Sequence, residues 1–335
     1  MARRPAPQPV GAGPVTWRDG IHITGTAIWC DARRARDVCF VSAADRPVRA
    51  SHGQLIATRE TLVQLASASG DHLAVPYRRP FTLGTVRLEL VPTGHTLGSA
   101  ALWVEHDGRR LLYAGAIAGG LHVGLGEPAE LRTCDALVID ARYGRIEHRF
   151  PPATDSARAL VEWARAIAAD RVAIVLVTSP GKGLDVAAEL ARAGLPVVAH
   201  RAIHHATQRL RAAGIAPAGL EVRRPGATVR PGNALVWLAR DRGRLDAVAA
   251  PATRAIALAS GLATEPEAVA ELGVDAAFAW SSSADRDGLL GLIRASGASQ
   301  VFVTGRCAPE LVEAVGGLAR VIGPPRQMGL FEGVP

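Results

Sequence analysis

Lysine is almost missing from this chain. Of its 38 basic residues only Lys182 is a lysine, a bias that a GC-rich genome explains without selection for arginine itself. Aromatic residues are scarce as well, at 4%, so Ala, Gly and Val rather than rings must fill the interior. The four cysteines, Cys30, Cys39, Cys134 and Cys307, form no C-x-x-C pair. That spacing excludes a thiolate zinc knuckle and reads as reduced, mostly buried thiols of a cytosolic protein. Residues 1–15, rich in Pro, Gly and Ala, lack the apolar run of a signal peptide. No segment approaches the roughly 20 apolar residues of a membrane span. The expectation is a soluble, cytoplasmic protein with no membrane partner.

What is present describes an ordered chain. Its 335 residues suffice for one large domain or two ordinary ones, and 48% hydrophobic content with 21% charged residues supports a sizeable core. A net charge of +7 favours polyanionic partners, DNA or RNA, without choosing between them.

The pattern changes character midway. Up to about residue 150 the apolar runs are short and strand-like: Gly20 to Cys30, Val38 to Val41, Gln54 to Ala57, and a hairpin of Phe81 to Leu83 with Val86 to Val91 across Gly84-Thr85. Thr58 caps a helix to about Ala68. Further strands are expected at Ala100 to His106, Leu111 to Ala116 and Ala136 to Asp140. After Pro151-Pro152, helices and strands alternate: Asp155 to Ala169, Val172 to Val177, Leu184 to Ala193, Pro196 to Ala199 and Ile203 to Ala213. That rhythm predicts a parallel sheet. Strands follow at Ala234 to Ala239, Ala255 to Leu258, Ala276 to Trp280 and Gln300 to Thr304, with helices ending near Ala295 and spanning Pro309 to Leu318. No internal repeat is visible.

The stretch Leu90-Val-Pro-Thr-Gly-His-Thr-Leu-Gly-Ser-Ala100 sets His95 on a glycine-flanked loop between two strands, at a sheet rim where chemistry is commonly placed. It stands in order with Ser51-His-Gly-Gln-Leu-Ile-Ala-Thr58, Leu131 to Gly144, Ser179-Pro-Gly-Lys182, Val197-Val-Ala-His200 and Asp275 to Thr304. This series resembles the metallo-β-lactamase/β-CASP family, in its branch of bacterial ligase-associated, mRNA 3′-end-processing-factor-like exonucleases. The resemblance implies an α/β protein: an αββα sandwich with an inserted β-CASP-like α/β domain. Its divisions would be a flexible tail (1–15), the first part of the sandwich (16–153), the insertion (154–280), a return segment (281–325) and a C-terminal tail (326–335).

Active members of that family hold two metal ions, usually zinc, whose bridging hydroxide attacks a phosphodiester, and such a site needs many imidazoles and carboxylates. The family's H-x-H-x-D-H reads Ser42-Ala-Ala-Asp-Arg-Pro47 here, placing Arg46 where the aspartate belongs. The Gly-Asp after the following strand reads Gly115-Ala116, the late Ser-Asp-His reads Ser281-Ser-Ser283, and Val-Thr-His-Gly becomes Val303-Thr-Gly-Arg306. Only His95 survives of the ligand set. The resemblance therefore implies no metal cofactor and no catalysis: a pseudo-exonuclease acting as an accessory protein in bacterial DNA repair or replication. Its partners would be DNA or RNA, an active nuclease paralogue or a DNA ligase. The competing expectation is an active exonuclease or ribonuclease with a rebuilt zinc or manganese site.

Lys182, Arg46, Arg142, Arg145 and Arg306 are the candidate nucleic-acid contacts, set against a structural helix start for Lys182 and dispersed, solvated positions for the arginines. Arg149 belongs to the same basic run. Ser179-Pro-Gly-Lys-Gly183 lacks the spacing of a nucleotide P-loop. His204 and His205 with His200 read as a helix start rather than a metal site. The tail Gln327-Met-Gly-Leu-Phe331 resembles the Q-x-x-L-F peptide that docks on the bacterial DNA sliding clamp: Gln327 would make polar contacts while Met328, Leu330 and Phe331 enter an apolar pocket. The alternative is a terminal strand packing on its own domain.

Overall fold

The computed structural model describes residues 13–46, 51–65, 71–120, 123–224, 226 and 229–324. The described residues form a mixed α/β molecule with three sheets. The first has six strands in chain order: β1 (Val15–Trp17), β2 (Ile21–Ile23), β3 (Ile28–Cys30), β4 (Val38–Phe40), β5 (Gln54–Ala57) and β6 (Asp71–Ala74). The second contains β7 (Phe81–Leu83), β8 (Val86–Pro92), β9 (Ala100–His106), β10 (Arg109–Gly115) and β11 (Ala136–Asp140). It is completed by β17 (Gln300–Thr304) and β18 (Ala319–Val321), in the order β18-β17-β11-β10-β9-β8-β7.

These two sheets face each other. Ile21, Ile28, Phe40 and Ile56 of the first pack against Leu88, Leu102, Val138 and Phe302 of the second. The period-2 alternation of β8, whose Arg87 is exposed between buried Val86 and Leu88, is the sequence signature of that arrangement. Outside the first sheet lies α1 (Arg59–Leu65), with Leu62 and Leu65 against Cys39, Val41 and Leu55. Outside the second lie α6 (Arg286–Ser296) and α7 (Ala308–Val315), whose Leu289, Ile293 and Leu311 cover Leu112, Leu137 and Val301. The layers therefore run helix, sheet, sheet, helix.

The third sheet is wholly parallel, in the order β13-β14-β12-β15-β16. It comprises β12 (Val172–Val177), β13 (Val197–Ala199), β14 (Ala234–Leu238), β15 (Arg254–Ala259) and β16 (Ala276–Phe278). Every residue of β12 is buried, as expected for the middle of a parallel sheet covered on both faces. On one face pack α2 (Ala153–Ala168), α3 (Pro180–Arg192) and α4 (Arg201–Ala212), through Leu160, Leu184, Ile203 and Leu210. Leu245 and Val248, from the 3₁₀ stretch Ala239–Ala247 and its end, close the other, near α5 (Pro266–Leu272).

Several expectations shift in detail. Gly20 to Cys30 is a hairpin rather than one strand, because Gly25 turns the chain at φ +86°. The helix expected from Leu184 begins at Pro180: Ser179 accepts the Lys182 N–H and proline occupies the first turn, where its missing donor costs nothing. Val15, placed in a tail, pairs with Ile23. Among the described residues no helix is long and apolar enough to cross a membrane.

Candidate functional site

The carboxyl ends of β3, β4, β11 and β17 lie side by side, since β3 pairs with β4 and β11 with β17 in parallel. Chain leaving these ends brings in Asp31, then Ser42 to Arg46, Asp140 and Gly305-Arg306. Arg46 lies between two carboxylates: its Nη2 donates to Asp140 Oδ2 at 2.8 Å and its Nε stands 3.4 Å from Asp31 Oδ2. Asp31 also accepts from the Ser42 amide at 2.8 Å, the Ser42 hydroxyl at 2.6 Å and the Tyr113 hydroxyl at 2.8 Å. It does so from a left-handed backbone, φ +48°, which a non-glycine residue adopts only under constraint. Burial pushes the Asp140 carboxyl up, but Arg46 outweighs it and holds the group below the usual carboxylate range. Burial likewise opposes the Arg46 charge, and Asp140 and Asp31 more than restore it. Gly305 is required here: at φ +96°, a Cβ would collide with Asp140 Oδ1. The cluster forms the floor of a cavity of about 410 Å³, walled by Trp17, Ile21, Arg33 and Ile322.

A second cluster joins the sandwich to the parallel-sheet unit. His95 Nδ1 donates to the Ser282 carbonyl at 2.9 Å and lies 3.3 Å from Ser283 Oγ, while Nε2 stands 3.6 Å from Asp45 Oδ2. Asp45 accepts from Ser179 Oγ at 2.5 Å and from the Gly181 amide at 3.2 Å. Burial raises the Asp45 carboxyl, but His95, Ser179 and Gly181 together hold it low. One imidazole and one carboxylate thus tie the loop after β4, the start of α3 and the return segment together.

Beside them is a small pocket bounded by His95, Arg142, Lys182, Trp280 and Ser281–Ser283. Lys182 is 3% exposed. Its Nζ lies 3.6 Å from the centre of the Trp280 ring and makes no hydrogen bond among the described residues. Trp280 Nε1 and Ser282 Oγ are buried without partners too. Burial pulls the Lys182 ammonium down to about 7, against the attraction of Asp185 and Glu189. Burial raises Asp185 to about 6, against the pull of Lys182; its carboxylate takes the Leu125 amide at 2.9 Å. The space between these donors is about 10 Å³, the size of a single water.

The arginines expected to share one groove are placed differently. Arg46 is held within the sandwich by its two aspartates. Arg145 pairs with Glu310 at 3.1 Å, and Arg306 is ion-paired with Glu265 and donates to the Arg142 carbonyl. Arg149 is 3.5 Å from Asp287. The Arg142 side chain is exposed at the rim of the Lys182 pocket, with no ion pair among the described residues. His200 caps α4 by accepting the Ala202 amide at 3.2 Å and faces Asp241 at 3.3 Å. Gln327, Met328, Leu330 and Phe331 lie outside the described residues. Sequence reasoning missed Asp31, Tyr113 and Trp280 as parts of these clusters. An acid immediately after an apolar strand was the available signal for Asp31.

The two-metal centre of that family's active members, or a rebuilt zinc or manganese site, does not fit these side chains. Arg46, at the position of the family's H-x-H-x-D-H aspartate, already neutralises Asp31 and Asp140. The one retained imidazole is engaged through Nδ1 with a carbonyl. Among the described residues no three His, Cys, Asp or Glu stand together as metal ligands.

No family model matches the chain. A protein of Opitutus terrae named "Probable DNA ligase" is 27% identical over 310 residues, which take in 90% of this chain and 30% of that protein. The chain thus spans less than a third of the similar protein's length. This match corrects the expectation of a chain without enzymatic activity, because the similar protein bears the name of an enzyme.

Proposed function

We propose that the chain is a DNA-handling unit that works with DNA ligation in bacterial repair or replication, built on a metallo-β-lactamase/β-CASP-like scaffold. The observation that carries this reading is the Lys182 pocket. Among the described residues, three buried donors (Lys182 Nζ, Trp280 Nε1 and Ser282 Oγ) have no acceptor, and Arg142, which lines the pocket, has no ion pair. The pocket has room for no more than a water, so a backbone phosphate would lie at its mouth: one oxygen faces the buried donors while Arg142 holds the others from outside. The match to a protein named for ligation favours DNA over RNA as the source of that phosphate, and the net charge of +7 draws it in.

The test is fluorescence anisotropy with labelled single- and double-stranded DNA, with RNA of the same sequence as competitor. Binding should weaken with salt and fall about tenfold in Lys182→Met. Absence of binding by the intact chain, or an unchanged affinity in the variant, rejects the reading. Coupling to ligation predicts faster sealing of nicked duplex when the chain is added to a DNA ligase from the same cell. For the sliding clamp, deletion of Gln327 to Phe331 should abolish retention on immobilised clamp; equal retention, or none by the intact chain, removes that partner.

A further inference from the structure

The 410 Å³ cavity over the Arg46 cluster lies apart from the phosphate pocket, and nothing above assigns it an occupant. We propose that it is a nucleotide site that takes one nucleoside 5′-monophosphate, either free or as the terminal residue of a DNA strand. Its size falls in the range of small-molecule sites, roughly 300–1,000 Å³. Its wall is apolar and partly flat: half-buried Trp17 with Ile21, Val321 and Ile322. An indole face stacks any base, because every base has a π-face.

Charge decides which end of the ligand goes where. Three arginines and two aspartates line the cavity. Arg46 is matched by Asp31 and Asp140, and Arg306 by Glu265. Arg33 alone of the three is exposed with no ion pair among the described residues. A phosphate placed against Arg33 offsets its charge, and the base then lies inward on Trp17, stacked on the indole and independent of which base it is. The left-handed backbone of Asp31 in the floor fits a ligand site, where such constraint tends to collect.

The strand-end form of this proposal rests on the DNA reading, whereas the free-nucleotide form stands without it. Calorimetric titration of the full chain with dAMP, dTMP, deoxyadenosine and inorganic phosphate separates the contributions. Both monophosphates should bind, and deoxyadenosine and phosphate each about tenfold more weakly. Arg33→Ala and Trp17→Leu should each cost about tenfold in monophosphate affinity. No heat with either monophosphate, or two variants indistinguishable from the intact chain, overturns the assignment. Open-ended duplex against duplex closed by hairpins at both ends then identifies the source. Preference for open ends that is lost in Arg33→Ala assigns the site to strand termini; monophosphate binding without that preference assigns it to free nucleotide. Monophosphate binding that persists when Lys182-dependent DNA binding is absent leaves this site standing and rejects the function proposed above.

Discussion

Half-buried Arg46 and buried Lys182 are treated in opposite ways in this protein. Arg46 sits between two carboxylates, which raise its hold on the proton above the ordinary value. Lys182 sits over an indole ring with no hydrogen bond, and its hold falls to about 7. The first is internally complete: the ion cluster joins loops of both sandwich sheets and leaves no charge to offer a ligand. The second is incomplete, since the indole face returns only part of what the ammonium loses on leaving water. A buried charge with all its partners holds structure together. One without them stores a demand that an incoming anion can meet.

The largest effect that sharpens this contrast is loss of the Arg46 charge. Arg46→Met strands Asp31 and Asp140 beside each other in the interior and should cost about 3–5 kcal/mol in urea denaturation. A cost under about 1 kcal/mol would show that the cluster is not the cross-link described. Lys182→Met should act in the other direction. The folded-state ammonium titrates below its ordinary value of 10.5, at about 7, so the unfolded chain binds more protons between those limits. Its destabilising contribution is therefore complete below about pH 7 and fades as pH rises through the window above it. The wild type should gain stability over that range, by at most about 1.4 kcal/mol per pH unit, and Lys182→Met should lack the gain. Parallel pH profiles for the two proteins would sink the argument. The opposing window of Asp185, between the ordinary aspartate value and about 6, lies on the acid side and does not overlap. The smallest effect belongs to Arg142→Ala. With the side chain exposed, stability should stay within about 0.5 kcal/mol, while the salt slope of DNA binding should drop by about one. An unchanged slope would place the phosphate elsewhere.

Much of the fold is legible residue by residue. Gln54–Ala57, Val172–Val177 and Gln300–Thr304 occupy the spans that their apolar runs predict, because a strand buried on both faces writes itself as an unbroken hydrophobic run. Short edge strands do not: Asp71–Ala74 is mostly exposed and Ala319–Val321 half so, and neither carries a pattern to read. The start of α3 hid behind Ser-Pro-Gly-Lys, which scans as a turn until Ser179 is seen capping it. Of the site, His95, Arg46 and Lys182 stood out by residue type. Their partners did not, since Asp140 is 94 positions from Arg46 and Ser282 is 187 from His95.

The sequence by itself determined a mixed α/β protein with a net charge of +7 and a lone lysine. These are matters of composition and local period, and they need no neighbours to be read. Only the tertiary structure decided which charges are free. Arg46 and Arg306 are neutralised by acids far along the chain, whereas Arg33 and Arg142 stand without ion pairs among the described residues. Charge pairing depends on distance in space and on access to water, and a linear order of residues records neither.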